Sequence, residues 1–125
     1  MRINPKDYEN LGRQFDTLKG QVGEQYACDY LIKKGYKILT RNYKCPIGEI
    51  DIIAQDKKTI VFVEVKYRKT AYFGLPQEAV TPYKQNKIRA IAQTYLKMER
   101  KLNNLCRFDV IGVLGDEITH IENAF

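Results

Sequence analysis

The chain has 125 residues, with 21 Lys and Arg against 15 Asp and Glu and a formal net charge of +6. Hydrophobic residues make up 44% and charged residues 29%, which excludes an intrinsically disordered chain and predicts one globular domain over residues 1–125. No apolar run has membrane-spanning length and no signal-peptide core stands near the first residue, so we expect a cytoplasmic protein without a membrane partner. The positive charge favours nucleic acid as the partner.

The cysteine and histidine content restricts the chemistry. Cys28, Cys45 and Cys106 are at least 17 positions apart, a spacing that fits neither a zinc knuckle nor a disulfide framework and predicts reduced thiols. His120 is the single histidine, which argues against catalysis built on a Ser-His-Asp or Cys-His pair. The sequence identifies no partner for it. If the protein is an enzyme, carboxylates and lysines carry the reaction.

The first predicted elements are a polar arm over residues 1–10 and a helix that runs to about Lys34, where Gly35 ends it. Counted at helical spacing, Glu24 is in line with four small or apolar residues, which places its carboxylate on the inward face of the helix. Those four residues are Ala27, Cys28, Leu31 and Ile32.

Five strands and a second helix follow. Thr81 and Pro82 form a favourable N-cap and first residue for that helix, which we expect to end near Arg100. The strands are predicted at about 36–42, 49–55, 59–67, 107–114 and 118–121. The resulting order, α-β-β-β-α-β-β, predicts an α/β fold with a mixed β-sheet flanked by helices.

Strict alternation places two acids and a lysine on one face of the hairpin formed by the second and third strands. On the third strand, Glu64 and Lys66 share a face with Phe62. The other face of that strand holds Val61, Val63, Val65 and Tyr67. On the second strand, one face holds Glu49, Asp51 and Ile53 and the opposite face holds Ile50, Ile52 and Ala54.

The loop length decides whether the two carboxylates meet. A two-residue loop at Lys57-Lys58 would oppose Asp51 and Glu64 directly, with Cβ atoms about 4.5–5.5 Å apart. A three-residue loop would pair Asp51 with Val63 and put the carboxylates on opposite faces. Two opposed carboxylates repel, and Mg²⁺ or Mn²⁺ would offset that repulsion because such ions accept one or two carboxylates plus water and phosphate oxygens. Lys66 would position water or neutralise phosphate, unless it only forms a surface salt bridge with Glu49.

The segments GEIDII (48–53) and FVEVKYR (62–68) together resemble the D…ExK core of the restriction-endonuclease-like, or PD-(D/E)xK, superfamily, although Ile50 stands in place of its proline. Gly23-Glu24, Phe73-Gly74, Lys87 and the RFDV segment (107–110) extend the resemblance over about residues 20–113, to the YraN family of small bacterial proteins. That family is similar in its core to archaeal Holliday-junction resolvases.

The resemblance implies a restriction-endonuclease-like fold with a catalytic site of Glu24, Asp51, Glu64 and Lys66. The implied ligands of Mg²⁺ or Mn²⁺ are Asp51, Glu64 and Glu24. Three outer residues, Arg68, Gln85 and Lys87, are candidate nucleic-acid contacts, with a solvated or structural role as the alternative for each. Tyr67, Tyr72 and Tyr83 flank the site and either stack on bases or pack at its rim. The remaining helix lysines are expected on solvated faces, among them Lys33, Lys34, Lys84 and Lys97.

The function predicted from these features is a metal-dependent endonuclease that hydrolyses phosphodiester bonds of DNA rather than RNA, with branched or junction DNA in recombination or repair as a candidate substrate. A homodimer would suit symmetric cleavage of two strands. One alternative is a non-catalytic nucleic-acid-binding protein of the same fold that acts as a structural or recruiting factor. Another is an interaction module for an acidic protein partner.

Overall fold

The structure, a computed structural model, describes residues 20–68 and 80–125. The predicted polar arm (1–10), Tyr72 and Phe73-Gly74 lie outside those residues. The described chain contains helix α1 (20–33), helix α2 (Pro82–Met98) and five strands. The strands are β1 (Lys37–Cys45), β2 (Gly48–Asp56), β3 (Thr59–Arg68), β4 (Cys106–Leu114) and β5 (Glu117–Ile121). The predicted order of elements is confirmed over these ranges, with strand ends that differ from the prediction by up to three residues.

The five strands form one open, mostly antiparallel sheet in which spatial order follows chain order, β1-β2-β3-β4-β5. Strands β3 and β4 are parallel, because the chain between them crosses over through α2. The other three junctions are antiparallel. The coarse prediction of an α/β fold with a mixed sheet is therefore correct.

Each face of the sheet carries its own core, because alternate residues of the buried strands point to opposite sides. On one face, Phe62 and Val110 pack against α2 through Ile88, Ile91 and Tyr95. The opposite face packs against α1, where Ala27, Cys28 and Leu31 meet Ile52, Val61, Val63 and Ile111. The helices therefore flank the sheet, with α1 on one side and α2 on the other. Neither helix, over the ranges described, has the length and apolar composition needed to cross a membrane.

The predicted helix ends are confirmed in detail. Gly35 has φ 99°, and the N–H groups of Gly35 and Tyr36 donate to the carbonyls of Ile32 and Leu31, which is the Schellman arrangement. The prediction that Ile32 faces inward is wrong, since 57% of it is exposed. Eight residues along a helix rotate the side chain by about 80° from the starting residue, which places Ile32 beyond the edge of the buried stripe.

The hairpin register follows the two-residue loop at Lys57-Lys58. Pairs from Asp56 with Thr59 to Ile52 with Val63 are all in that register, and the alternative three-residue loop is excluded. The alternation predicted for β2 fails at one residue. Ile50 packs with Ile53 on the α2 side instead of with Ile52 and Ala54 on the α1 side.

That change of side coincides with an interruption of the regular pairing around Asp51. The β1–β2 ladder runs from Arg41 with Ile52 to Tyr43 with Ile50, and Asn42 between them has φ 51°. On the other side of β2, the ladder to β3 ends at Ile52. Position 51 thus lies where the backbone leaves the regular pleat.

Candidate active site

Glu64 is the buried carboxylate at the centre of the candidate site. It lies on β3 two residues beyond Phe62, on the face that α2 covers, and only 6% of it is exposed. Two ammonium groups contact its Oε1 atom, the Nζ of Lys84 at 2.6 Å and the Nζ of Lys66 at 3.5 Å. One carboxylate therefore has positive partners from β3 and from α2.

Asp51 is the second carboxylate, partly buried on β2. Its Oδ2 accepts a hydrogen bond of 2.8 Å from the backbone N–H of Val65, a donor that regular pairing would give to a carbonyl of β2. Burial and the negative charge of Glu64 raise the pKa of Asp51 to about 7, although the Val65 N–H opposes the rise. The predicted repulsion between these two carboxylates is therefore built into the fold.

Glu24 approaches the same region from α1 and is half-buried. Burial raises its pKa, and the charges of Glu49 and Glu64 act in the same direction, while a hydrogen bond with Asn42 and the charge of Arg41 oppose them. Within residues 20–68 and 80–125, no group of three or more His, Cys, Asp or Glu side chains is arranged to hold one metal ion. Asp51 and Glu64 therefore form a pair of interacting carboxylates, and Glu24 lies near this pair without forming a three-carboxylate metal site with it.

Lys66 points into the site and contacts Glu64, so the alternative of a salt bridge to Glu49 is not the pairing that forms. Burial lowers the pKa of Lys66 and the charge of Lys84 lowers it further, while Glu64 acts in the opposite direction. The ammonium group of Lys66 is mostly shielded from solvent, and its attraction to the negative charge of Glu64 holds it in the site.

Lys84 is the residue of the site that the sequence prediction missed, because it was grouped with the solvated lysines. It precedes Ile88 by four positions and Ile91 by seven, so it extends the line of the buried stripe of α2, and its partly exposed side chain reaches Glu64 from there. Burial alone would lower the pKa of Lys84, but its hydrogen bond and charge interaction with Glu64 raise it. Helical spacing from Ile88 and Ile91 was the signal that would have identified it.

The three outer residues have different surroundings. Gln85 donates from Nε2 to the carbonyl of Val80 at 3.0 Å, a bond that supports the start of α2. Lys87 is exposed and runs across Gly48, where an added Cβ would come within 2.8 Å of its Cε atom. Arg68 ends β3, and its side chain is outside what the structure describes.

A cavity of about 420 Å³ lies between the start of β2 and the first turns of α2, and Lys84, which contacts Glu64, is part of its lining. In the part of the chain that the structure describes, eight residues line it: Gly48, Glu49, Thr81, Tyr83, Lys84, Lys87, Ile88 and Ile91. Ile88 and Ile91 are almost fully buried, whereas 79% of Tyr83 is exposed. Its apolar side is therefore deep in the fold and its polar and aromatic side chains lie near the surface.

A second polar cluster is centred on Asp109 of β4, which is fully buried. Its carboxylate accepts hydrogen bonds from the Nε of Arg107 at 3.1 Å and from the backbone N–H of Asn123 at 3.0 Å. Its Oδ2 atom lies 2.7 Å from the Nε2 of His120. Burial raises the pKa of Asp109, but the hydrogen bonds from His120, Arg107 and Asn123 together lower it below its usual value.

The same cluster supplies the partners of His120 that the sequence did not reveal. Besides Asp109, the ring contacts the Tyr30 hydroxyl at 3.3 Å and the Lys34 ammonium at 3.2 Å, both through Nδ1. Arg107 also binds Asp56 at 3.1 Å. These contacts join β4 and β5 to the C-terminal end of α1.

The cysteines agree with the sequence prediction. Cys28, Cys45 and Cys106 are all free thiols.

Comparison with known proteins gives a consistent result across most of the chain. Residues 23–113 match the model of the uncharacterised protein family UPF0102. A UPF0102 protein of Caldanaerobacter subterraneus is 51% identical over 113 residues, which cover 85% of this chain and 93% of that protein. One from Geotalea daltonii is 46% identical over 119 residues, covering 91% and 94% of the two chains. The chain therefore belongs to the UPF0102 family, which confirms the resemblance to YraN.

Proposed function

We propose that the protein is a metal-dependent nuclease with a restriction-endonuclease-like fold, which hydrolyses phosphodiester bonds of DNA. The observation that carries the proposal is the pairing of Asp51 and Glu64 on neighbouring strands, with the pKa of Asp51 raised to about 7 by burial and by Glu64. Two repelling, partly desolvated carboxylates cost the fold stability, and a cation bound between them would offset that cost.

The donor set fits Mg²⁺ or Mn²⁺. Both ions prefer hard oxygen ligands, and Mg²⁺ in proteins is commonly held by one or two carboxylates, with water and substrate phosphate oxygens as the other ligands. Asp51 and Glu64 would supply the two carboxylates. When bound, the ion would lower the pKa of a water molecule and stabilise negative charge on the phosphate. In this proposal Glu24 would accept a hydrogen bond from such water rather than complete a group of three protein ligands.

The lysines of the site have separate roles in the proposal. The ammonium group of Lys66, held 3.5 Å from Glu64, would face the scissile phosphate and neutralise charge that grows there during hydrolysis. Lys84 would balance the charge of Glu64 until the ion and the substrate are both bound. The net charge of +6 supports a polyanionic substrate, because lysines and arginines that neutralise phosphates supply most of the affinity for nucleic acid.

The test is a cleavage assay on labelled branched, nicked, duplex and single-stranded DNA and on RNA, each with Mg²⁺, Mn²⁺ or chelator. We expect products only with the metal, and we expect Asp51→Ala and Glu64→Ala each to lower the cleavage rate by at least about a hundredfold. Asp29→Ala is the matched control, because Asp29 is an exposed carboxylate on α1. Retained cleavage in both site variants would contradict the proposal, and circular dichroism would verify that they fold.

One observation favours the non-catalytic alternative. Lys84 lies 2.6 Å from Glu64, so the carboxylate is already neutralised by a residue of the protein itself. A nucleic-acid-binding protein without nuclease activity needs only that ion pair. Equal DNA binding by wild type and Glu64→Gln, with no cleavage under any metal condition, would establish this alternative. Absence of nucleic-acid binding at physiological salt would contradict both functions.

A further inference from the structure

We propose that the cavity between β2 and α2 binds one unpaired nucleotide of the substrate, and that the protein therefore acts on strands with unpaired bases. The proposal rests on the nuclease function above, in that nucleic acid is taken as the ligand. It adds the substrate class and names Tyr83 as the residue that recognises it.

The cavity has the size and chemistry of a site for a flat ring with an anionic group. Its volume of about 420 Å³ falls in the lower part of the range of ligand pockets, about 300–1,000 Å³. Ile88 and Ile91 form an apolar floor, and both are at least 97% buried. Lys84 and Lys87 add two ammonium groups to the same lining and Glu49 adds one carboxylate, so positive charge is in excess there even though Lys84 also contacts Glu64. A nucleotide would fit these two parts of the cavity, with its base above the isoleucines and its phosphate near the lysines.

Among the described residues that line this cavity, Tyr83 is the aromatic one. It lies in the first turn of α2, and 79% of it is exposed, whereas a tyrosine that packs in the core is mostly buried. An exposed ring beside an apolar floor offers a stacking surface to a base, and such stacking tolerates any base because each has an aromatic face. The neighbouring lysines supply the charge that brings the backbone of a strand to it.

The position of the cavity links it to the carboxylates. Lys84 lines the cavity and also contacts Glu64 at 2.6 Å, so a nucleotide in the cavity would be directly adjacent to the proposed reaction centre. Bases in a duplex are stacked and paired inside the helix and cannot enter such a pocket without being flipped out, which costs the unstacking and unpairing energy. Single strands, flaps and branch points already present unpaired bases.

The test is binding, measured by fluorescence anisotropy with chelator present so that no cleavage occurs. The probes are a labelled DNA single strand of about 16 nucleotides and the fully paired duplex of the same sequence. We expect Tyr83→Ala to weaken binding of the single strand about tenfold and to change duplex binding much less, while Tyr83→Phe retains the ring and binds as wild type. Tyr26→Ala is the matched control, because Tyr26 is an exposed tyrosine on α1, 41% exposed, away from this cavity.

A second measurement identifies the base directly. In a series of single strands, one base at a time is removed to leave an abasic position. One of these strands should bind wild type more weakly than the intact strand does, and the same strand should bind Tyr83→Ala as tightly as the intact strand does. Single-strand binding by Tyr83→Ala equal to that of wild type would overturn the inference, whether or not the protein cleaves DNA. Tyr83-dependent binding by a protein that never cleaves with Mg²⁺ or Mn²⁺ would overturn the nuclease proposal and leave the nucleotide site in place.

Discussion

Asp51 and Asp109 are two aspartates withdrawn from solvent on strands that flank β3, and their surroundings are opposite. Asp109 is surrounded by donors from Arg107, His120 and the Asn123 backbone, and its pKa is lowered. Asp51 has one backbone donor, from Val65, and faces the charge of Glu64, so its pKa is raised to about 7. The fold therefore stabilises the charged form of Asp109 and destabilises the charged form of Asp51.

The difference separates a structural cluster from a functional one. A fully hydrogen-bonded buried charge stabilises its surroundings and holds elements together, as the Asp109 cluster does for β4, β5 and α1. A buried charge with too few hydrogen-bond donors lowers the stability of the fold. Such charges are typical of sites where a ligand supplies the missing partner. Both residues are aspartates that are at least partly buried, and what distinguishes them most is the number of hydrogen-bond donors around each carboxylate.

The largest expected effect concerns the cluster that the fold stabilises. Asp109→Ala should lower the free energy of unfolding by about 3–5 kcal/mol, because it leaves Arg107 without its buried partner and removes an acceptor from His120 and Asn123. Urea unfolding of wild type and variant measures the loss. Asp29→Ala, an exposed control, should change stability by less than about 0.5 kcal/mol. A loss below about 1 kcal/mol for Asp109→Ala would show that the cluster is not structural.

Asp51 should behave in the opposite way. Its pKa is higher in the folded protein, about 7, than the usual 3.8, so the folded state binds more protons between these values and the free energy of unfolding falls as pH rises from about 4 to 7. Asp51→Asn should remove that dependence and raise stability above pH 7 by about 2 kcal/mol in metal-free buffer. Asp109 has a lowered pKa, so its stabilisation is lost only as pH falls below about 4.

Thermal unfolding of wild type and Asp51→Asn across pH 4–8, with chelator and then with Mg²⁺, measures this effect. Adding Mg²⁺ should stabilise wild type at high pH and leave Asp51→Asn nearly unchanged, because the ion prefers a charged ligand pair. A variant that is less stable than wild type above pH 7 would show that Asp51 and Glu64 do not repel.

The smallest of the three effects concerns Lys84. Its ammonium group competes with a cation for Glu64, so Lys84→Met should raise the affinity for Mn²⁺ about tenfold, or 1.4 kcal/mol, measured by calorimetry without nucleic acid. Lys97→Met, on the exposed last turn of α2, is the matched control. Weaker Mn²⁺ binding by Lys84→Met would mean that the lysine supports the ion rather than substituting for it.

Most of the fold could be predicted because local signals were strong. Gly35 and the Thr81-Pro82 pair marked helix ends, and the two residues between Asp56 and Thr59 set the hairpin register. The register predicted that Asp51 and Glu64 lie close together, although the regular β2–β3 pairing ends at Ile52 and Asp51 reaches β3 through the N–H of Val65.

The remaining features depend on contacts that no local pattern encodes. Ile50 changes side next to the position where the side chain of Asp51 accepts a hydrogen bond from a backbone N–H of β3, and alternation anticipates neither feature. His120 meets Asp109 through the β4–β5 pairing and Lys34 through the end of α1, 86 positions earlier in the chain. Lys84 was missed for a different reason, since its charge was given more weight than its spacing from Ile88.

The order of strands in the sheet has a consequence for how the molecule folds. Three of the four strand junctions cross a short turn, namely β1 with β2, β2 with β3 and β4 with β5. The parallel pairing of β3 with β4 closes a loop of nearly forty residues and carries the largest chain-entropy cost of the four junctions. We therefore expect it to form last. Because Arg107 of β4 binds Asp56 of β2, that step also joins the Asp109 cluster to the hairpin that already carries Asp51 and Glu64.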